Sequence, residues 1–534
     1  MFTKQTLPLQ DTSLFSGLFT DYIQAAPTVR PFYEFHIDQA AYSAFLDTHD
    51  FASVDRAVLT KALEEQAKLV ENTHPATWNA IKLLEQKDTF TVTTGHQLCL
   101  FTGPLYFIYK IVSTINLAKT LTQQFPGKTF VPVYWMASED HDFEEINHVH
   151  VFGKKITWNS AQKGSVGEFS TEGISAALDE LRTILGESDQ AKEIILLFEK
   201  AYTKHSNLAD ATRFVVNDFF GEYGLVTLDG NDTALKALFK EEFKKDILEN
   251  TSYAAVNKTI DLLKENYPIQ VNPREINVFY KGTQLRERLE KSEEGYKALN
   301  TALVFQKEQL ETLIDSEPGT FSPNVVLRPL YQQKILPNVA YVGGPGELAY
   351  WLEYKHLFEV YGITLPVLMP RNFVMFLDKG TGNKLQKLNI SIADSFKDGE
   401  DLVKQFIKTE YDNSVLEEAR AKLAGVYASL SEAAAAIDKT LAGTAEAERQ
   451  KAINGIATIE QKMNRALKQK SENDVNQIWA VKGKLFPNNV PQERYDNISM
   501  YYSKYGKTFI TSLMDVLGYD LKTFEYTVLS EDQP

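Results

Sequence analysis

Glu139, Asp140, His141 and Asp142 follow one another in the string SEDHDFEE, directly behind the apolar run 131–136. Carboxylates and an imidazole at this density can orient an amine, take up a proton or hold Mg2+ through carboxylate oxygens. A helix N-terminus decorated with acids would account for Asp142, Glu144 and Glu145 through the helix dipole, but it leaves His141 unexplained. His148 and His150 lie close behind. With no HExxH and one cysteine in the chain, no metal centre is assigned. A second polar turn presents Gly95, His96 and Gln97, ahead of Thr102 and Gly103. Backbone amides where a strand gives way to a helix suit phosphate or carboxylate oxygens, although an ordinary capped turn uses the same residues. A third turn, GGPGE, puts Gly343 and Gly344 where the backbone can approach a ligand closely and Glu347 at a helix start, a composition that a plain strand-to-helix turn shares. Arg328 and Arg371 add positive charge for an anionic substrate or form structural ion pairs. Cys99, between Leu98 and Leu100, reads as packing in preference to a nucleophile.

Three turns of this kind need a sheet to bring them together. Residues 90–93 are apolar and β-branched, and Gly95 ends the run. Pro104 stands where a helix begins, and Leu105, Ile108, Ile111, Val112, Ile115 and Ala118 recur at helical spacing up to Pro126. Residues 131–136 suit a strand buried on both faces, so the segment 89–151 reads as a βαβ unit with its chemistry at the strand ends. Further strand signals stand near 226, 341 and 367, each beside a helical pattern. Five candidate parallel strands, near 90, 133, 226, 341 and 367, argue a doubly wound, Rossmann-like α/β sheet. Neither GxGxxG nor GxxxxGK[ST] is present, and KGTGNK at 379–384 lacks the spacing of a phosphate-binding loop.

The chain has 534 residues, 43% of them hydrophobic and 24% charged, which fits two to four soluble domains with sizeable cores. A net charge of −15 argues against a bulk nucleic-acid surface. No apolar run approaches the roughly 20 residues that span a bilayer, and the first 30 residues lack the apolar centre of a signal peptide, so no membrane association is expected. The single cysteine fits a reducing, cytoplasmic setting.

Residues 1–380 are expected to hold the core, with an aromatic-rich, irregular N-terminal arm and insertions at about 151–220 and 245–320. The second insertion carries REINVFYKGTQLRERLE, a hairpin pattern bearing Arg274, Arg286 and Arg288. From 416 the apolar positions Ala419, Leu423, Val426, Leu430, Ala433 and Ile437 step four and three apart. A second series, Ala452, Ile456, Ile459, Met463 and Ala466, follows a break at Gly443 and Thr444. These describe an antiparallel coiled-coil hairpin within 381–484, for which a second copy of the chain is the simplest partner. Residues 485–534 return to globular composition and are expected to pack on the core.

Long stretches of the chain resemble the BshC cysteine ligase family of bacillithiol biosynthesis: TGHQLCLFTGPLYFIYKIVSTINLA, VPVYWMASEDHDFEEINHV, NPREINVFY, LRPLYQQKILPNVAYVGGPGELAYW, LPVLMPRNF and LFPNNVPQER. The resemblance covers essentially the whole chain. It implies a Rossmann core with two connecting-peptide insertions, a coiled-coil domain that mediates homodimerisation, and addition of L-cysteine to glucosaminyl malate. By analogy with class I aminoacyl-tRNA synthetases it also implies nucleotide binding, with the GHQ turn near the position of their HIGH motif. That turn has one histidine, and the chain has no KMSKS-like lysine loop. No cofactor is assigned; ATP or ADP and Mg2+ are the candidates.

On this reading Glu139, Asp140, His141 and Asp142 handle the amine, while Gly95, His96, Gln97, Thr102, Gly103, Arg328, Gly343, Gly344, Glu347 and Arg371 bind nucleotide or substrate. The rival expectation is a non-catalytic, synthetase-like scaffold dimerised through its coiled coil. Three polar turns on one sheet edge argue against it.

Overall fold

Thr91, Thr93 and Thr94 carry hydroxyls into a strand that is buried along its whole length, and each is satisfied sideways, by Asn338 Oδ1 at 3.1 and 2.7 Å and by the Val342 carbonyl at 2.8 Å. This strand, β1 (Thr89–His96), is the centre of a five-stranded sheet in a computed structural model that describes residues 2–49, 51–410, 414–519, 521 and 523–531. β2 (Thr129–Met136) and β3 (Val226–Asp229) add on one side; β4 (Asn338–Gly343) and β5 (Val367–Pro370) add on the other. All neighbours are parallel, in the order β5-β4-β1-β2-β3. The chain therefore runs outward from β1 to β3 and then returns to lie on the opposite side of β1, creating a topological switch point between β1 and β4. Register aligns His96 with Met136, Met136 with Asp229, and Gly343 with Pro370, so the strand ends form one edge.

Helix α1 (Tyr106–Gln124) connects β1 to β2 and is buried on most of its surface. It starts two residues after Pro104, which pairs with Asn497 in an isolated bridge instead of opening the helix. The N-terminal segment is more regular than its composition suggests, with helices at Gly17–Ile23 and Gln39–Thr48, and the Tyr22 hydroxyl donates to the Leu368 carbonyl of β5 at 2.9 Å. Between β2 and β3 stand the short helix Phe143–Ile146, a small hairpin (His148–Val151 with Lys154–Thr157) and three longer helices ending at Phe220. Between β3 and β4 the hairpin Val278–Gly282 and Leu285–Ser292 forms as its sequence suggests, inside a five-stranded antiparallel sheet completed by Gly295–Ala298, Val304–Phe305 and Phe321–Pro323.

The described chain divides into two compact units. One comprises Met1–Gln10, Leu14–Met375 and Gln492–Val528, and the other Asp11–Ser13, Phe376–Pro491 and Leu529–Pro534. Residues 411–413, 520, 522 and 532–534, which fall in the expected coiled-coil and C-terminal segments, lie outside the described residues. The second unit contains an antiparallel pair of long helices, Ser414–Ile437 and Leu441–Lys470, tied by an Arg420–Glu460 ion pair. The turn between them is at 438–440, where Asp438 Oδ1 accepts from the Thr440 amide and hydroxyl. Gly443 and Thr444, expected to break the hairpin, are inside the second helix; a short Asp-Lys-Thr turn needs neither glycine nor proline. Val426, Leu430 and Ile437 stay 55, 52 and 82% exposed.

Candidate active site

The carboxyl ends of β1, β2 and β4 open on a cavity of about 720 Å3, all of whose lining belongs to the first unit. The three polar turns meet there: Gly95, His96 and Gln97 from the first, Glu139, Asp140, His141 and Asp142 from the second, and Gly344 and Glu347 from the third. Arg328 and Arg371 line it as well. Parallel register and the switch point bring these residues together, although they lie up to 276 positions apart.

The floor is an ion pair that sequence reasoning did not assign. Lys110, on the apolar face of α1, reaches Glu347 Oε1 and Oε2 at 2.7 and 2.8 Å and donates its third hydrogen to the Gly95 carbonyl. An ammonium with all three donors engaged is a fully satisfied cation. Burial alone would raise the Glu347 carboxyl, but Lys110, the Gly344 amide (2.8 Å) and the Tyr341 hydroxyl (2.8 Å) hold it down at about 2. His96 is packed against Phe107 and Tyr106, and burial with the nearby Lys110 pushes its imidazole down to about 3. It faces the cavity as a neutral ring. Burial pushes the neighbouring Cys99 thiol up to about 12, so this cysteine is packing.

In the SEDHD turn the four titratable side chains have different commitments. Glu139 is paired with Lys236, a wholly buried lysine from the helix after β3 that also reaches Asn231 Oδ1 at 3.1 Å. Asp140 Oδ1 accepts from the amides of His141 (2.7 Å) and Asp142 (3.3 Å), and its Oδ2 accepts from Gln97 Nε2 at 2.8 Å. Gln97 also donates to Glu145, which leaves it a brace between two turns. His141 Nδ1 is 2.7 Å from Arg286 Nη1. Only the Asp142 carboxylate makes no hydrogen bond among the described residues; its nearest partner is His141 Nε2, 3.8 Å away. Asp140, His141 and Asp142 bring ligand atoms within 4.8 Å of one another, but Asp140 and His141 are already engaged and a guanidinium adjoins them, so the set does not suit a divalent cation.

Seven basic and four acidic side chains line the cavity, giving it an excess of positive charge. Arg371 is neutralised by a bidentate pair with Glu493, so here the structural ion pair is realised. Arg328 lies over the switch point, 3.5 Å from where a Cβ on Gly95 would be, and donates to neutral Gln332 Oε1 at 3.1 Å. Arg288 leans toward Glu290 at 3.4 Å. Arg274 and Arg494 are exposed and have no carboxylate partner among the described residues. Sequence reasoning noted Arg274, Arg286 and Arg288 only as hairpin residues and missed Arg494, whose signal was its place in the closing PQER string.

Thr102, Gly103 and Gly343 do not line the cavity. A 3-10 turn, Leu100–Thr102, separates β1 from α1; the amides of Thr102 and Gly103 are occupied, while those of Gln97, Leu98, Cys99 and Leu100 have no acceptor among the described residues. Phe101 donates to Tyr202, Thr102 to Cys99, Gly103 to Leu100 and Leu105 to the Asp496 carbonyl. The Gly103 carbonyl accepts from Asn497 Nδ2 at 2.7 Å, while Gly343 uses its carbonyl for the Arg371 amide at 2.9 Å. KGTGNK forms the first turns of helix Lys379–Lys387. In helix α2 (Pro345–Leu352) the amide of Gly346 has no acceptor among the described residues.

The description "Bacillithiol biosynthesis BshC, N-terminal Rossmann-like domain" matches residues 2–372, and "Bacillithiol biosynthesis BshC, C-terminal coiled-coil domain" matches 374–530. Among curated relatives, a protein of Flavobacterium psychrophilum is 42% identical over 515 residues, covering 95% of this chain and 96% of its own. One of Flavobacterium johnsoniae is 41% identical over 516 residues, with the same coverage, and one of Bacillus cereus is 27% identical over 519 residues, covering 93% and 95%. Each bears the name "Putative cysteine ligase BshC". With both domain descriptions matched in order and relatives aligned along nearly their whole length, the chain belongs to the BshC family of bacillithiol biosynthesis.

Proposed function

We propose that this protein joins the carboxyl group of L-cysteine to the free amine of glucosaminyl malate in the cavity at the carboxyl edge of its parallel sheet. The observation that carries this reading is one uncommitted carboxylate, Asp142, in the same cavity as guanidiniums that lack carboxylate partners, Arg274, Arg328 and Arg494. Amide formation needs an acceptor for the amine proton and anchors for carboxylates. Asp142 accepts the proton of the attacking amine. Arg274 and Arg494, the exposed cations, take the malate carboxylates, and Arg328 with the Gly346 amide takes the acyl oxygens of cysteine. Glu139, Asp140 and Gln97 hold the turn that presents Asp142.

Nucleotide binding belongs to the same proposal. ATP or ADP would activate the carboxyl, its phosphates held by Arg328 and the Gly346 amide, an open donor among the described residues. Calorimetry showing no affinity for either nucleotide, with or without Mg2+, removes this part. The protein is placed in the cytoplasm, where a lone buried thiol stays reduced. It assembles as a homodimer through the exposed stripe of Val426, Leu430 and Ile437. Charged substitutions at Leu423 and Leu430 should give a folded monomer by light scattering, and an unchanged dimer mass rejects that seam. The ligase reading itself is tested in a strain lacking this gene: the full chain should restore bacillithiol, and accumulation of glucosaminyl malate despite a folded, expressed chain would favour a non-catalytic scaffold.

A further inference from the structure

Arg286 comes from the antiparallel sheet of the second insertion, 145 positions from the histidine it meets. Its guanidinium is fixed on every side. Nε donates to Ser322 Oγ at 3.0 Å and Nη2 to the Pro323 carbonyl at 3.2 Å, while Cζ lies 3.9 Å from the centre of the Phe279 ring. Nη1 is left for His141 Nδ1, at 2.7 Å. A guanidinium has five donors and no acceptor, so the imidazole nitrogen facing it must accept. The proton of the neutral ring then sits on Nε2. An imidazolium, with a hydrogen on Nδ1, would drive two N–H groups against each other at this distance.

The remaining groups around the ring do not supply another acceptor arrangement. Asp140 Oδ1 is 3.9 Å from Nδ1 and already holds two backbone amides; Asp142 Oδ1 is 3.8 Å from Nε2; Phe279 lies with its ring centre 5.4 Å away; Glu139 is turned to Lys236. We infer that Arg286 is a positioning residue that holds His141 as its Nε2–H tautomer, so that this ring serves amide formation as a hydrogen-bond donor to the reacting carboxyl oxygen, with the proton of the amine going elsewhere. The tautomer follows from the contact alone; the donor role rests on the ligase reading above.

The direct test uses full-length protein labelled with 15N-histidine and long-range proton–nitrogen spectra, which separate protonated from pyridine-like ring nitrogens. His141 is assigned among the nine histidines by the signal missing from His141→Gln. At pH 7 the wild type should show one protonated nitrogen, Nε2, and Arg286→Met should relax this to a mixture of tautomers while circular dichroism reports an unchanged fold. A wild-type ring carrying its proton on Nδ1, or on both nitrogens, overturns the proposal whether or not the variant folds. Chemistry is read separately as bacillithiol restored in the deletion strain. Gln places an N–H near the position of Nε2, so His141→Gln should stay within about tenfold of wild type, whereas His141→Ala should fall by about 10² or more. Equal loss in the two overturns the donor role. Absence of bacillithiol even with the wild-type chain would instead sink the ligase reading and leave the tautomer standing.

Discussion

The two sides of the cavity treat charge in opposite ways. On the sheet side three buried cations have carboxylate partners, Lys110 with Glu347, Lys236 with Glu139, and Arg371 with Glu493, while Arg328 over the switch point donates to neutral Gln332. On the side built by the second insertion and the returning segment after 492, Arg274 and Arg494 face solvent without a carboxylate among the described residues, and Arg286 has only neutral acceptors there. A buried charge is costly to leave alone, so the paired set maintains the architecture of the edge. An exposed cation facing a cavity costs little to leave open, which makes the unpaired set available to an anionic ligand. Line of sight to the cavity is therefore a poor guide to role. Arg371, expected to bind substrate, belongs with the first set, and Arg494, not expected at all, belongs with the second.

That division can be broken most forcefully at Lys110. Lys110→Met leaves the half-buried Glu347 with only the Gly344 amide and the Tyr341 hydroxyl as donors, and denaturant unfolding should show a loss of about 3–5 kcal/mol. A loss below about 1 kcal/mol would mean that the pair is not structural. Arg494→Met should do the reverse. Stability should stay within about 0.5 kcal/mol of wild type, while calorimetry should find glucosaminyl malate bound roughly tenfold to a hundredfold more weakly, the value of a charged hydrogen bond. Unchanged affinity would remove Arg494 from the substrate side.

Glu353 is fully buried and accepts from the amides of Gln270 (2.7 Å) and Val271 (3.1 Å), just ahead of the lining residues Asn272 and Arg274. Burial pushes its carboxyl up from 4.5 to about 7, against the lowering by the two amides. The folded value lies above the unfolded one, so this group's contribution is fully present below about 4.5 and is lost as pH rises through about 7. Glu353→Gln should therefore lose less thermal stability than wild type between pH 5 and pH 8. Parallel Tm profiles would contradict the assignment.

All five parallel strands were legible because each is a short apolar run closed by glycine or a polar cluster, and their alternation with helices left few topologies. The three turns could be placed on one edge for the same reason. What the sequence concealed were pairings over long distances. The amides of Phe101 and Leu105 look open until Tyr202 and Asp496 are known to be beside them, and Lys110 reads as one more position of an apolar helix until Glu347 is set against it. The hairpin turn was misplaced because 438–440 closes through an aspartate side chain, whereas Gly443, the stronger local signal, is simply helical.

On the proposed ligase reading Asp142, the one carboxylate of the SEDHD turn with no hydrogen bond among the described residues, accepts the amine proton during ligation. Bacillithiol restored in the deletion strain by Asp142→Asn, measured beside the Tm of the purified variant, tests it most directly. Positioned proton transfer is typically worth about 10² to 10⁴ in rate, so restoration should fall steeply while Tm is unchanged. Asp140→Asn, which can keep the Oδ1 acceptor for the two amides but sets an NH2 against the Gln97 Nε2 donor, should instead lower Tm. Wild-type bacillithiol from Asp142→Asn would contradict the claim.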